Sequence, residues 1–525
     1  MSSQSAIPVS ELLAESAPAS GSILRRLFAS SGRVSLYQCF GVLLSFGFQA
    51  FVSRTCGADA LGAVTIFLAW LGILSVLTVP GLEGALVYLL PRLEGQHVAT
   101  RRVVRQCLLI ACVASLIVTA GAGLAGPRPF ARVGLPDQAR AAFCIALIAF
   151  SVGKVFDAVF LGFKDAPAQA YFNNIRTIAR FAFCLPVLFF PAARWTILFC
   201  AVALECLLAV VLRIIRLRRL DPGLASVRRV LGVVKPVERN PPEPRHTLGA
   251  IVMPMLGISV IDTVYPLLDK AVLGMMVPLA LVGIYRVSEA VAIVNTMFVL
   301  PFIAFYPYIS QLHGQNRLDD LRDSYRAITL SIVALMLPFS LLLVELSPTI
   351  LSFFGPTFVG QGKSIFLVLA FGTAIDAIAG PAGAVLKLTG HSRLSFSINT
   401  VWLVVYLGLT IALTRRYGIL GAAIAKTTST VLGNLVNVIA NRLLLNVLPY
   451  TLRHAWLLIA GAAILAARWL MFPGVSSTAG QALAGMIQAA AFSVFAFFVL
   501  RRQIAGILQS NLLRGMRNRS PLSCQ

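Results

Sequence analysis

The chain is poor in charge. Asp, Glu, Lys and Arg together make up 12% of its 525 residues, about half the share of an average soluble domain. Acids are scarcest, 20 against 44 Lys and Arg. No two cysteines have the CxxC spacing of a redox or metal motif. Most of the nine (among them Cys107, Cys112, Cys144, Cys184, Cys200 and Cys206) lie in apolar stretches, where they read as small buried side chains. The five histidines (His97, His246, His313, His391 and His454) fall in or beside loops. No metal site, histidine relay or cofactor is therefore expected. Residues 1–22 are polar, lack the pattern of a cleavable signal and read as a disordered tail.

What is present is apolar sequence in blocks. Apolar residues make up 58% of the chain and the mean hydropathy is +0.85. Blocks of about 20 residues can cross a bilayer core of roughly 30 Å as helices. Fourteen are predicted: 34–54, 61–89, 105–125, 140–162, 174–192, 195–216, 248–274, 282–308, 327–346, 364–387, 394–414, 417–444, 453–472 and 482–500. With the N-terminus in the cytoplasm, about 31 of the 44 Lys and Arg fall on the cytoplasmic side and about 9 on the far side. That bias sets both ends inside. It accounts for the net charge of +24 as a topogenic signal with some attraction to anionic lipid, and no nucleic-acid partner is expected.

Residues 217–247 are basic and proline-punctuated, and divide the chain. Landmarks recur on either side. Gly62 and Gly283 open the second and eighth spans; Leu93-Glu94-Gly95-Gln96 and Leu312-His313-Gly314-Gln315 follow them. Leu161…Asn174 matches Leu386…Asn399, and Ile197-Leu198 matches Ile419-Leu420, all at offsets of about 219–225 residues. Six spans per half make this a parallel repeat, the layout of alternating-access carriers. The expected fold is therefore an all-α polytopic membrane protein. It comprises a tail (1–33), an N-lobe (34–216), a basic linker (217–247), a C-lobe (248–444), two further helices (445–500) and a basic tail (501–525). Pro80-Gly81, Pro254 with Gly257, Pro301 and Gly380-Pro381 can bend or break their helices.

Two apparent nucleotide motifs are lookalikes. Thr357 to Ser364 lacks the first glycine of a phosphate-binding loop, and Gly121 to Gly126 ends an apolar helix instead of following a strand. Far-side loops are short, leaving little room for the catalytic acids of a membrane glycosyltransferase, so no enzymatic activity is expected. The chemistry lies in charges inside the spans, each costing about 3 kcal/mol at mid-membrane. Lys154, Lys270, Arg286 and Lys426 are the candidates to bind an anionic headgroup, Arg being best suited to phosphate. Asp157, Asp262, Asp269, Asp376 and Glu289 are the candidates for a coupling cation or proton. Glu205 is a further embedded acid. Lys154/Asp157 and Arg286/Glu289, each three residues apart, can alternatively neutralise one another within a helix.

Three stretches resemble the polysaccharide-flippase (Wzx-type) branch of the multidrug/oligosaccharidyl-lipid/polysaccharide exporter superfamily. They run from Leu61-Gly62 to Pro91-Arg92-Leu93, from Val282-Gly283-Ile284-Tyr285 to Leu312 with Pro338 beyond, and from Leu386 to Ala425. The resemblance implies two six-helix lobes, no ATP, and transfer of an isoprenoid-diphosphate-linked oligosaccharide from the cytoplasmic to the far leaflet. It further implies a bacterial inner membrane, with membrane lipids and other polysaccharide-assembly proteins as partners, and an isoprenoid tail held in lipid or along the last two spans. The family's cavity is strongly cationic, whereas here about four embedded cations alternate with acids. A cation-coupled multidrug antiporter, a membrane-embedded glycosyltransferase or ligase, and a non-transporting scaffold remain as alternatives.

Overall fold

The computed structural model describes residues 20–79, 81–90, 97–124, 135–163, 166–220, 245–299, 302, 306–471 and 477–517. Among them no strand occurs. The first half contains α1 (Ser20–Cys56), α2 (Ala58–Thr78), α3 (Leu82–Leu89), α4 (His97–Leu124), α5 (Ala139–Gly162), α6 (Ala166–Cys184) and α7 (Arg194–Leu220). The second contains α8 (Arg245–Met276), α9 (Leu279–Ile293), α10 (Tyr306–Gly314), α11 (Leu318–Ser352), α12 (Thr357–Ala379), α13 (Ala382–Leu388) and α14 (Ser392–Leu445), followed by α15 (Leu452–Met471) and α16 (Thr478–Arg517).

Every span predicted from sequence overlaps one of these helices, so the all-α reading holds. Eleven helices among the described residues are long and apolar enough to cross a membrane. The 54-residue α14 holds two spans, because Gly418 (φ 59°, ψ −138°) turns the chain in a conformation open only to glycine. The fifth and seventh spans, α6 and α8, are not among the eleven. These two helices carry Arg176 and Arg180, and Asp262, Asp269 and Lys270, respectively. Helix α1 begins at Ser20 and α16 continues to Arg517, extending helix into stretches read as tails. Residues 1–19, most of the linker (221–244), Pro80 and Pro301 lie outside the described residues. Gly380 ends α12 with φ 60°, again a glycine conformation, and Gly81 (φ 65°) separates α2 from α3.

The way the cores divide positions the site. One apolar core takes Phe48, Leu61, Phe67, Phe143 and Phe199 from the first half and Val282, Val291, Phe354 and Phe366 from the second. All belong to one end of the bundle, the end that the charge bias of the sequence predicts to lie on the far side. At the opposite end the halves have separate cores. Leu86, Phe156, Phe160 and Leu217 form one; Ile309, Tyr325, Ile332 and Val385 form the other. The core shared by the halves thus lies at one end, and α8 packs on α2 and α3 toward the other. Helices α15 and α16 make a fourth cluster against α11, around Val333, Leu457 and Phe492.

At the joined end α2 crosses α9 at Gly62 and Gly283. A Cβ on Gly62 would strike the Leu279 carbonyl, and one on Gly283 the Ala58 carbonyl. Nearby, Arg54 at the end of α1 donates to the carbonyl of Phe353 (2.6 Å), at the C-terminus of α11, and lies over its ring. A cation is favoured at a helix C-terminus.

Candidate functional site

The second half buries a charged network among α8, α9 and α14. Asp269 Oδ1 accepts from the Lys270 backbone N–H (2.8 Å) and from Lys270 Nζ (3.0 Å). Its Oδ2 accepts from Tyr285 (2.7 Å) and Lys426 Nζ (2.8 Å). Glu289 Oε1 takes Lys270 Nζ (2.5 Å) and Lys426 Nζ, and Oε2 takes Arg286 (2.9 Å). Lys270 also donates to the Pro266 carbonyl (2.6 Å), so all three of its protons are engaged. Among the described residues, Lys426 Nζ has two acceptors for its three protons. Arg286, 30% exposed, lies one turn beyond Gly283 on the same face of α9.

The first half holds a second group, on α3, α5, α6 and α7. Lys154 and Asp157 do not pair with each other as their spacing allowed. Lys154 meets Glu83 (3.1 Å), while Asp157 receives both nitrogens of Arg213 at 2.8 Å each. Arg180 grips Glu205 with the same fork geometry (2.6 and 2.5 Å). The remaining candidate acids lie in the second half. Asp262 pairs with Lys387 (3.0 Å) toward solvent. Asp376, half-buried, accepts one hydrogen bond from Asn434 (2.8 Å) and has no cation in contact among the described residues.

The repeat relates these pairs. Asp157 and Asp376 are 219 residues apart and Arg213 and Asn434 are 221 apart, within the offset of the other landmarks. The bridge between the fourth and sixth spans is thus Asp–Arg in one half and Asp–Asn in the other. Arg176, Arg180, Arg213 and Glu83 were not singled out from sequence. The signal was available: an embedded Glu205 requires a cation, and Arg176 and Arg180, four residues apart on the preceding span, share a face.

A family model described as polysaccharide biosynthesis protein matches residues 28–313, more than half the chain. The chain belongs to this family. A second model, MatE, matches residues 254–412. Among curated proteins, the chain is 28% identical over 183 residues to a probable flippase, AglR, of Haloferax volcanii. That match spans 33% of this chain and 37% of the relative's length. Among solved structures, the fold is similar to the lipid II flippase MurJ in an inward closed conformation. The TM-score is 0.70 at 12% identity, over 90% of this chain and 99% of that one. A multidrug MATE transporter in an inward-facing conformation gives 0.57 at 14% identity, over 77% and 94%. The resemblance read from the sequence motifs is borne out by these matches. At such identities the structural likeness concerns the fold of this family member.

Proposed function

We propose that the chain is a flippase that moves an isoprenoid-diphosphate-linked oligosaccharide across a bacterial inner membrane by alternating access, with both termini in the cytoplasm. The match to the polysaccharide biosynthesis family over residues 28–313 carries this reading. The core division supports its mechanism: two halves share one core at one end of the bundle and keep separate cores at the other, the arrangement of lobes that can move against each other. Arg286 and Lys426, which retain exposed or unused donors, are the proposed headgroup contacts in the second half, and Lys154 is the contact in the first. Lys270 fits as the group that positions Asp269 and Glu289. An apolar cavity of about 380 Å³ between α15 and α16, lined by Ile464, Leu483, Ile487 and Ala491, suits an isoprenoid tail.

Energy would come from an ion gradient acting at Asp376, the candidate acid that no cation among the described residues contacts. Asp157, Asp262, Asp269 and Glu289 each have a cationic partner. The same carboxylate favours a second reading, a cation-coupled antiporter of the MatE type.

Native mass spectrometry in mild detergent separates the two. The protein is titrated with an isoprenoid-diphosphate oligosaccharide and, separately, with a cationic drug. Selective retention of the diphosphate lipid, weakened in Arg286→Ala, is the expected result. Preference for the cation would replace the flippase reading with the antiporter.

A further inference from the structure

The network among α8, α9 and α14 sets Lys270, Arg286 and Lys426 against Asp269 and Glu289, which leaves one positive charge in surplus. Its two acids are held in different ways. Asp269 is completely buried and keeps two partners that are not cationic side chains, the Lys270 backbone N–H and the Tyr285 hydroxyl. Tyr285 is itself fully buried, so this hold is fixed. Glu289 has no such anchor. Among the described residues its partners are all cationic side chains, Lys270 and Lys426 on Oε1 and Arg286 on Oε2.

Exposure rises across the same group. The Lys270 side chain is 6% exposed, Lys426 18% and Arg286 30%. Glu289 thus stands between the buried part of the network and the two cations that a ligand reaches. A carboxylate and a phosphate draw on the same ammonium and guanidinium donors. Arg286 and Glu289 are three residues apart on one helix, a local pairing that contributes only a few tenths of a kcal/mol to a helix. Release of Glu289 leaves Lys270 and Lys426 paired with Asp269. It leaves Arg286 without an acid among the described residues. Asp269 is therefore the fixed acid and Glu289 the exchangeable one.

We propose that Glu289 is an internal competitor for the diphosphate of the substrate. It occupies Arg286 and Lys426 in the empty carrier and gives way when a phosphate arrives. Only ionic and hydrogen-bonding partners are exchanged. The competitor keeps the cations neutralised between cycles, since a buried cation without an acid is destabilising. It also loosens the hold on a substrate that must be released after transfer. The inference rests on the flippase reading, in which Arg286 and Lys426 meet the headgroup, and deepens it.

The test uses the full-length protein in mild detergent, titrated with an isoprenoid-diphosphate oligosaccharide and followed by native mass spectrometry. Glu289→Gln keeps the shape of the side chain and removes its charge. It is expected to bind the lipid about tenfold more tightly than the unmodified protein. Asp269→Asn removes the same charge from the anchored acid and should bring a smaller gain or none. An equal gain in both variants is an effect of net charge alone and overturns the competitor. Unchanged or weaker binding by Glu289→Gln, with the lipid still retained by the unmodified protein, overturns it too and leaves the flippase reading intact. Retention of the lipid by neither protein overturns both. Glu289→Asp, which draws the carboxylate back by one methylene, carries the test if Glu289→Gln does not fold; it must then show tighter binding.

Discussion

At Asp157 and Asp376 the same carboxylate, in equivalent places of a repeat, meets two different partners. Arg213 holds Asp157 with two charge-assisted bonds at 2.8 Å. Asn434 gives Asp376 one neutral donor and leaves its charge in place. The two asparagine variants should therefore behave oppositely. Asp157→Asn strands Arg213, which is 2% exposed, and is expected to cost about 3–5 kcal/mol of stability, read as a lower melting temperature in detergent. Asp376→Asn removes no partner of a buried cation and should melt near the unmodified protein. In proteoliposomes it should lose the dependence of transport on proton or sodium gradients. Unchanged gradient dependence in Asp376→Asn would remove this residue from coupling. Much of this was legible in the sequence: both aspartates stood out as embedded charges. Their difference was not, because it lies in Arg213 and Asn434. An arginine near a span end reads as part of the basic flank, and an asparagine carries no charge to notice.

Among the elements, the crossing of α2 and α9 is the tightest join between the halves. Gly62 and Gly283 already opened two equivalent spans in sequence, which identified them as related positions. That they touch each other became visible only in three dimensions, where each lies against a carbonyl of the opposing segment. An added methyl at either place forces the backbones apart, and overpacking of this kind costs about 1–3 kcal/mol. Gly62→Ala and Gly283→Ala should each lower the melting temperature. Because both open one seam, the double variant is expected to cost less than the two single losses combined. Strict additivity would mean that the two helices do not share a contact there. The boundaries of α6 and α8 illustrate a related limit. Their charged residues depress the very hydropathy that marks a span, so the helices bearing the chemistry stand out least by hydropathy.

Across the whole molecule, the division of the cores sets what must move. One core binds the halves at one end, the far end in the proposed topology, whereas the opposite end has two. Exposing the charged clusters to the far side requires that the shared core part along the seam of α2 with α9, and that Arg54 leave the end of α11. Arg54 and Phe353 lie at that seam on opposite halves, in direct contact. Substituting both with cysteine, in a background without the native cysteines, lets a reducible bifunctional thiol reagent of about the reach of the lost arginine side chain lock the far end shut. Substrate should still bind from the cytoplasmic face of the cross-linked protein, because that end is untouched. Transfer to the far leaflet should stop and resume on reduction. Continued transfer by the cross-linked protein would show that the substrate passes without parting this seam, and alternating access about the far-end core would have to be abandoned.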